Sequence, residues 1–238
     1  MRISKNEGKD WSEPISCIND RQGYFVLNND RVVQLENGRL LMPVSLHKTS
    51  RSEWSHKGQL RCYYSDDQGN TWNSGDMVPG PDSVVTQEPG VVELHDGRVM
   101  MIIRASGGRQ YHSFSEDQGL TWTYATPTNI ESPIAPASIE RIGHSGDLLL
   151  VWNNNGESGP GYYKAKRTPL TLAISNDDGN TWNHLQNIED ASDGFYCYTA
   201  IHFVGDYVLL AYLSKLESDE GYGITMRRLR VDELYSTR

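Results

Sequence analysis

The stretch "SDDQGNTW" at residues 65–72 decides the fold, because the chain repeats it. Near copies are "SEDQGLTW" at 115–122 and "SNDDGNTW" at 175–182, and a degraded copy, "SKNEGKDW", occupies 4–11. The serines that open successive copies are separated by 61, 50 and 60 residues. A repeat period of this size is typical of propellers and of other arrays of repeated sheets.

A second pattern lies between the octets and predicts β-hairpins. The stretches "VVQLENGRLLMPV" (32–44) and "VVELHDGRVMMII" (91–103) each place Asn-Gly or Asp-Gly between two apolar runs. This arrangement favours two antiparallel strands joined by a two-residue type I′ turn. The stretches 138–152 and 200–212 repeat it with Gly-Asp. With a third strand before each octet and a short fourth strand after it, every repeat supplies one blade of a β-propeller.

Within the octet, we expect a structural turn. The aspartate can accept backbone N–H bonds, the glycine can adopt a positive φ, and the tryptophan can fold back as an apolar plug. A calcium loop is the alternative. Aligning each glycine with the sixth position of an EF-hand puts Tyr64, Phe114 and Ile174 at the first ligand position. None of these side chains can bind calcium, so we expect no metal site.

The composition excludes several classes of function. The net charge is -9, and the longest basic cluster is "KAKR" at 164–167, so we expect no nucleic-acid partner. No apolar run is long enough to span a membrane, and the opening residues contain no hydrophobic signal core. The cysteines at 17, 62 and 197 lack metal-ligand spacing and are expected to be free thiols. Hydrophobic residues make up 37%, enough for one domain over residues 1–238.

The octets and hairpins together resemble the Asp boxes and blades of the sialidase (neuraminidase) superfamily of BNR-repeat propellers. The resemblance implies an all-β propeller of four-stranded antiparallel blades, from a six-bladed family, with four to five blades present. Asp boxes alone carry little functional information, because propellers with unrelated activities share them.

Three further stretches resemble the sialidase active site. "QEPGVVELHDGRVMMIIR" (87–104) is similar to the segment that begins with a catalytic glutamate and ends with a substrate-binding arginine, which implies these roles for Glu88 and Arg104. "KRTPLTLAIS" resembles the strand that starts with the last of the family's three carboxylate-binding arginines, which implies that role for Arg167. "YCYTAI" (196–201) resembles the segment of the tyrosine nucleophile and implies that role for Tyr198, with Tyr196 as the nearby alternative.

The chemistry explains why these residue types belong together. A sialic acid carries a carboxylate on its anomeric carbon, which repels an anionic nucleophile and favours a neutral tyrosine. Because the pKa of tyrosine is near 10, a glutamate within hydrogen-bond reach must take its proton. Arginine offers two parallel donors to the carboxylate and stays charged. The resemblance therefore implies an exo-α-sialidase-like hydrolase that retains configuration through a tyrosyl-enzyme intermediate and binds a sialoglycan. It implies no metal or organic cofactor.

Three more residues are candidates for substrate contact. Matching the hairpins places Asn29 where Glu88 stands one blade later, so Asn29 and Asp30 are expected at the mouth of the pore. Asn153 ends the second strand of a later repeat and is a candidate for glycan contact, while the adjacent Trp152 fits the core equally well.

The first Asp box lies close to the start of the chain. The sialidase family carries its first arginine and its acid/base aspartate ahead of this box, whereas only "MRI" precedes Ser4 here. We therefore expect the chain to begin partway through its first blade and to lack both residues. A non-catalytic glycan-binding propeller, or an inactive sialidase fragment, is accordingly the first alternative function. A structural interaction propeller that uses only the repeat scaffold is the second.

Overall fold

The computed structural model describes residues 1–156 and 166–236, and within these ranges the fold is an all-β propeller of four blades. The "KAKR" cluster lies partly outside the described residues. The first blade contains β1 (Gly23–Val26), β2 (Val33–Gln34), β3 (Leu40–Thr49), β4 (Gln59–Ser65) and β5 (Asn73–Ser74). The second contains β6 (Thr86–Glu93), β7 (Val99–Ala105), β8 (Arg109–Ser115) and β9 (Thr126–Glu131). The third contains β10 (Ser138–Arg141), β11 (Leu148–Asn153), β12 (Leu170–Ser175) and β13 (Asn183–Glu189). The fourth contains β14 (Phe195–Val204), β15 (Tyr207–Lys215) and β16 (Gly223–Arg230), followed by a 3₁₀ helix at Val231–Tyr235.

Every blade is an antiparallel sheet, and in the last three blades the strands pair in sequential order, as the hairpin pattern predicts. The innermost strand is β6, β10 or β14 in the last three blades, while β1 and β2 share this place in the first, both pairing with β3. The second strands of the second and third blades, β7 and β11, are buried along their whole length, whereas buried and half-buried residues alternate along β15 of the fourth blade. All seven residues of β7 are buried, which explains why "VMMIIRA" is a nearly continuous apolar run.

The predicted hairpins are confirmed, but the predicted type I′ turn is wrong at Asn-Gly and Asp-Gly. The amide of Gly38 donates to Leu35 O at 2.9 Å, and Leu35 N donates to Arg39 O at 2.8 Å. Positive φ is confined to Gly38 (91°) in the first turn and Gly97 (82°) in the second, so each is a three-residue turn with a glycine bulge. The physical reason is a hydrogen bond to a side chain. Asn37 Oδ1 accepts from Arg39 N, which keeps the backbone of Asn37 out of the positive φ that a type I′ turn needs at this residue.

The three complete octets form the expected structural turns. Asp67 Oδ1 accepts from Thr71 N at 2.8 Å, and its Oδ2 accepts from Thr71 Oγ1 at 2.7 Å. Gly69 has φ +87°, and Trp72 folds back so that its Nε1 donates to Gly69 O at 3.0 Å. The aspartate bonds recur at 117 and 177. These bonds fix the turn after the third strand of each of the first three blades and occupy the carboxylate that resembled a metal ligand.

Two other sequence features have structural counterparts. Cys17, Cys62 and Cys197 are free thiols. In the ranges 1–156 and 166–236, no helix has the length and apolar character needed to cross a membrane.

The tryptophans of the first two octets are matched in sequence but differ in burial, which gives a test of the plug role. Trp72 is 8% exposed and packs in the core of the first blade, whereas Trp11 is 58% exposed. We expect Trp72→Ala to lower the free energy of unfolding by about 3 to 5 kcal/mol. Trp11→Ala is expected to change it by only about 0.5 kcal/mol. Urea denaturation of both variants checks this difference, and equal losses would contradict it.

Candidate functional site

Two innermost strands carry a β-bulge at the same mouth of the central channel. In β6 the register with β7 shifts between Gln87 and Gly90, and in β14 the register with β15 shifts between Cys197 and Ala200. Glu88 has φ +40° and Tyr198 has φ +58°, in the left-handed region that side chains rarely adopt. A bulge redirects the side chain it carries. The two bulges thus present Glu88 and Tyr198 to a common space.

The Glu88 carboxylate joins the two other groups of this space. Its Oε2 accepts from Arg104 Nη1 at 2.5 Å, and its Oε1 accepts from the Tyr198 hydroxyl at 3.4 Å. The Glu88 and Arg104 side chains are 11% and 7% exposed. Arg104 lies directly across the ladder from Gln87, so the end of one hairpin supplies both members of the ion pair.

Arg167 reaches the same group from the segment just before β12. Its guanidinium carbon lies 5.9 Å from the centre of the Tyr198 ring and 5.3 Å from that of Phe195. Its Nη2 donates to Ile134 O at 3.4 Å, while its Nη1 is buried without a partner among the described residues. The structure therefore brings together Glu88, Arg104, Arg167 and Tyr198, which we call the site mouth.

Burial and mutual charge shift the pKa values of Tyr198 and Arg167. Burial, and then the negative charge of Glu88, raise the pKa of Tyr198, while the two arginines oppose this rise. Burial, and then repulsion from Arg104, lower the pKa of Arg167. The Nε of Arg104 is also buried without a described partner. Two neighbouring arginines with spare donors would be stabilised by an anion that binds both.

The other predicted contact residues lie close to this group, but they bond to backbone. Asn29 Nδ2 donates to Tyr198 O at 3.0 Å, and Asp30 Oδ2 accepts from Ile201 N at 2.8 Å. Both residues are exposed at the mouth. Asn153 is 1% exposed, and its Nδ2 donates to Tyr196 O at 3.0 Å. Contact of these three side chains with a substrate stays a prediction.

A comparison with protein families identifies the repeats. The profile of the BNR repeat-like domain family matches residues 1–210. The chain belongs to the BNR repeat-like family. Its repeats are those of a BNR-repeat propeller, as the octets predicted.

The relatives of this BNR-repeat propeller include bacterial sialidases. It is 31% identical to a sialidase of Clostridium perfringens over 166 residues, which cover 66% of this chain and 41% of that protein. It is 30% identical to a sialidase of Micromonospora viridifaciens over 152 residues, which cover 60% of this chain and 22% of that protein. The chain thus spans less than half the length of either relative.

Solved structures share the fold. The structure of Trypanosoma rangeli sialidase in complex with sialic acid superposes with a TM-score of 0.67 at 18% identity. The match covers 98% of this chain and 38% of that protein. At this identity the likeness shows the propeller architecture alone.

A buried arginine next to the site mouth escaped the sequence analysis. Arg31 is 4% exposed, its Nη2 donates to Ala137 O at 2.7 Å, and a Cβ at Gly90 would lie 2.9 Å from its Nη1. Burial lowers the pKa of Arg31 to about 10, although Asp30 and Glu88 oppose this effect, so it stays positively charged at neutral pH. Aligning "NDRVVQL" with "EPGVVEL" places Arg31 at the position of Gly90. In the sequence, the one indication of this buried arginine was that a large residue and a small residue occupy the same position in successive repeats.

A second polar space lies between the ends of β6 and β10 that are distant from Glu88. A cavity of about 460 Å³ lies there, bordered by Glu93 at the far end of β6 and by Glu140 on β10. Burial, and then the charge of Asp30, raise the pKa of Glu140 to about 7. No group of three or more His, Cys, Asp or Glu side chains among residues 1–156 and 166–236 could hold a metal ion.

Glu140 gives a prediction about stability and pH. Because its pKa is about 7 in the folded chain, against an ordinary value of 4.5, its stabilising contribution is complete below pH 4.5 and is lost as pH rises to 7. Glu140→Gln should therefore match the wild type at pH 4.5. At pH 8 it should melt at least about 2 °C higher, a shift that corresponds to about 1 kcal/mol.

Thermal melts from pH 4.5 to 8 test this expectation. Glu116→Gln, at an exposed position of the second complete octet, is the control and should parallel the wild type. A Glu140→Gln curve that stays parallel to the wild type as well would show that burial of Glu140 does not oppose folding at neutral pH.

Proposed function

We propose that this BNR-repeat propeller is an exo-α-sialidase-like glycoside hydrolase that removes terminal sialic acid from glycoconjugates. One observation carries the proposal: the Glu88 carboxylate contacts both the Tyr198 hydroxyl and the Arg104 guanidinium, with Arg167 facing the Tyr198 ring. The sialidase relatives support the class of reaction, and the neighbour that binds sialic acid supports the class of ligand.

Tyr198 is the nucleophile of the proposed reaction. Its raised pKa keeps the phenol neutral at rest, so the carboxylate of the approaching sugar meets no charge repulsion from it. During attack the phenolic oxygen bonds to the anomeric carbon, and the proton passes to Glu88 Oε1. The bond to the leaving oxygen breaks, and that oxygen departs as an anion that takes a proton from solvent. Water then attacks the anomeric carbon, the glycosidic bond to the Tyr198 oxygen breaks, Glu88 returns its proton to that oxygen, and the proton of the attacking water passes to solvent. The two successive inversions at the anomeric carbon retain its configuration.

The arginines hold the substrate carboxylate. Arg104 and Arg167 are close enough to repel each other, and each has a buried N–H donor without a described partner. A carboxylate that bonds to both arginines offsets their repulsion and gives the buried N–H donors a partner. Charged donors bond strongly to an anion in a buried setting. This arrangement also orients the anomeric carbon toward Tyr198.

Hydrolysis of an aryl α-sialoside tests the nucleophile. Tyr198→Phe removes only the hydroxyl and should lower kcat at least about 10³-fold, because the covalent step is lost. Tyr196→Phe is the matched control: Tyr196 lies two residues away, is 4% exposed, and should retain activity within about threefold of the wild type. Equal activity of the two variants would exclude Tyr198 as the nucleophile.

Binding of free sialic acid, measured by titration calorimetry, tests the carboxylate site independently of turnover. Arg167→Met should weaken binding about 10- to 100-fold, the loss expected for hydrogen bonds to a charged group. Arg98→Met alters an exposed arginine of a hairpin turn paired with Asp96 and should leave the affinity unchanged. Binding that survives Arg167→Met would contradict the carboxylate site. Binding without any wild-type turnover would instead support a glycan-binding propeller.

A further inference from the structure

Backbone groups next to Tyr198 have no hydrogen-bond partner in a neighbouring strand. As the innermost strand of its blade, β14 pairs with β15 on one side only. The bulge interrupts this pairing between Cys197 and Ala200. Backbone groups of the bulge therefore lack strand partners, and such groups are costly to leave unpaired when they are buried.

Side chains of other blades bond to two carbonyl groups of the bulge and to the N–H group of Ile201, which lies just after it. Asn29 Nδ2 donates to Tyr198 O at 3.0 Å, and Ser138 Oγ donates to Thr199 O at 2.5 Å. Asp30 Oδ2 accepts from Ile201 N at 2.8 Å. Asn29 and Asp30 lie in the loop between β1 and β2 of the first blade, and Ser138 lies in β10 of the third blade.

We propose that Asn29, Asp30 and Ser138 form a clamp that positions Tyr198 for attack. The inference rests on the proposed function, because Tyr198 must be the nucleophile for its position to control turnover. It assigns to Asn29 and Asp30 the role of holding the backbone of β14 in place, in addition to their position at the mouth. Ser138 gains a role that no sequence motif indicated.

The conformation of Tyr198 explains why a clamp is needed. A non-glycine residue in the left-handed region costs about 1 to 3 kcal/mol and persists only when its surroundings enforce it. Tyr198 has φ +58°, and its hydroxyl lies 3.4 Å from Glu88 Oε1. If the clamp is broken, the bulge can relax toward ordinary strand geometry, which moves the phenol away from its base. A displacement of about 1 Å can cost about 10²-fold in rate.

The clamp joins blades that no strand pairing connects. The first and fourth blades belong to separate sheets, yet Asn29 and Asp30 link the inner strand position of one to β14 of the other. The position of Tyr198 is thus coupled to the placement of these two blades around the channel.

Variants of Asp30 test the clamp with little backbone strain. Asp30 has φ +57°, which glycine adopts freely, so Asp30→Gly removes the acceptor without forcing the chain. Asp30→Asn keeps an acceptor oxygen and should restore function. Ser138→Ala is a second, independent variant that removes a buried hydroxyl. Asp178→Gly is the matched control, because Asp178 also has a positive φ (56°) and accepts from a backbone N–H of another blade, His95 N, but lies in an Asp box.

Two measurements are made on each variant: hydrogen–deuterium exchange of peptides covering 196–201, and kcat and KM for an aryl α-sialoside. We expect Asp30→Gly and Ser138→Ala to exchange faster in this segment and to lose about 10- to 100-fold in kcat, with KM within about threefold. Asp30→Asn and Asp178→Gly should resemble the wild type. Faster exchange with unchanged kcat would overturn the positioning role, as would unchanged exchange in both clamp variants.

Failure of the proposed function would be visible separately. If the wild type shows no turnover, the phenol titration of Tyr198, taken as the difference between each protein and its Tyr198→Phe derivative, replaces kcat as the readout. A clamp that holds Tyr198 in its buried position predicts that Asp30→Gly lowers its pKa toward the ordinary value of about 10. An unchanged titration would overturn the clamp even in a protein without enzymatic activity.

Discussion

Each blade leaves its innermost strand with one edge that no other strand pairs. The N–H and C=O groups on that edge face the channel and require partners from side chains. Arg31 donates to Ala137 O, Asn153 donates to Tyr196 O and Ser138 donates to Thr199 O. The polar lining of the channel follows from this constraint. A bulge on such an edge can turn a side chain into the channel while neighbouring blades satisfy its backbone, and the site mouth is built at two bulges of this kind.

The charges of the site mouth are balanced incompletely. Glu88 pairs with Arg104, which leaves the positive charge of Arg167 facing aromatic rings rather than a carboxylate. A buried cation without a full partner is costly, and a bound carboxylate would remove that cost. The arrangement therefore favours anionic ligands, in agreement with the proposed sialoglycan.

The sequence predicted features whose interactions are local. The octet turn depends on bonds from Asp67 to Thr71 and from Trp72 to Gly69, all within one short stretch, so spacing alone revealed it. The site mouth was predicted through family resemblance, since its members lie far apart in the chain. The roles of Arg31 and Ser138 depend on contacts between blades, which a repeat pattern does not encode. The turn type was mispredicted because the prediction rested on the Asn-Gly dipeptide, whereas the hydrogen bond to the Asn37 side chain sets the backbone conformation of the turn.

The contact between Arg31 and Gly90 shows that the blades are no longer interchangeable modules. These residues occupy the same position in successive repeats, and one fills the space that the other leaves empty. Copying the second blade over the first would remove the buried guanidinium, and the reverse exchange would force two guanidiniums into one space. Equivalent positions of the first two blades therefore carry complementary residues, so neither blade can be exchanged for a copy of the other without losing this contact.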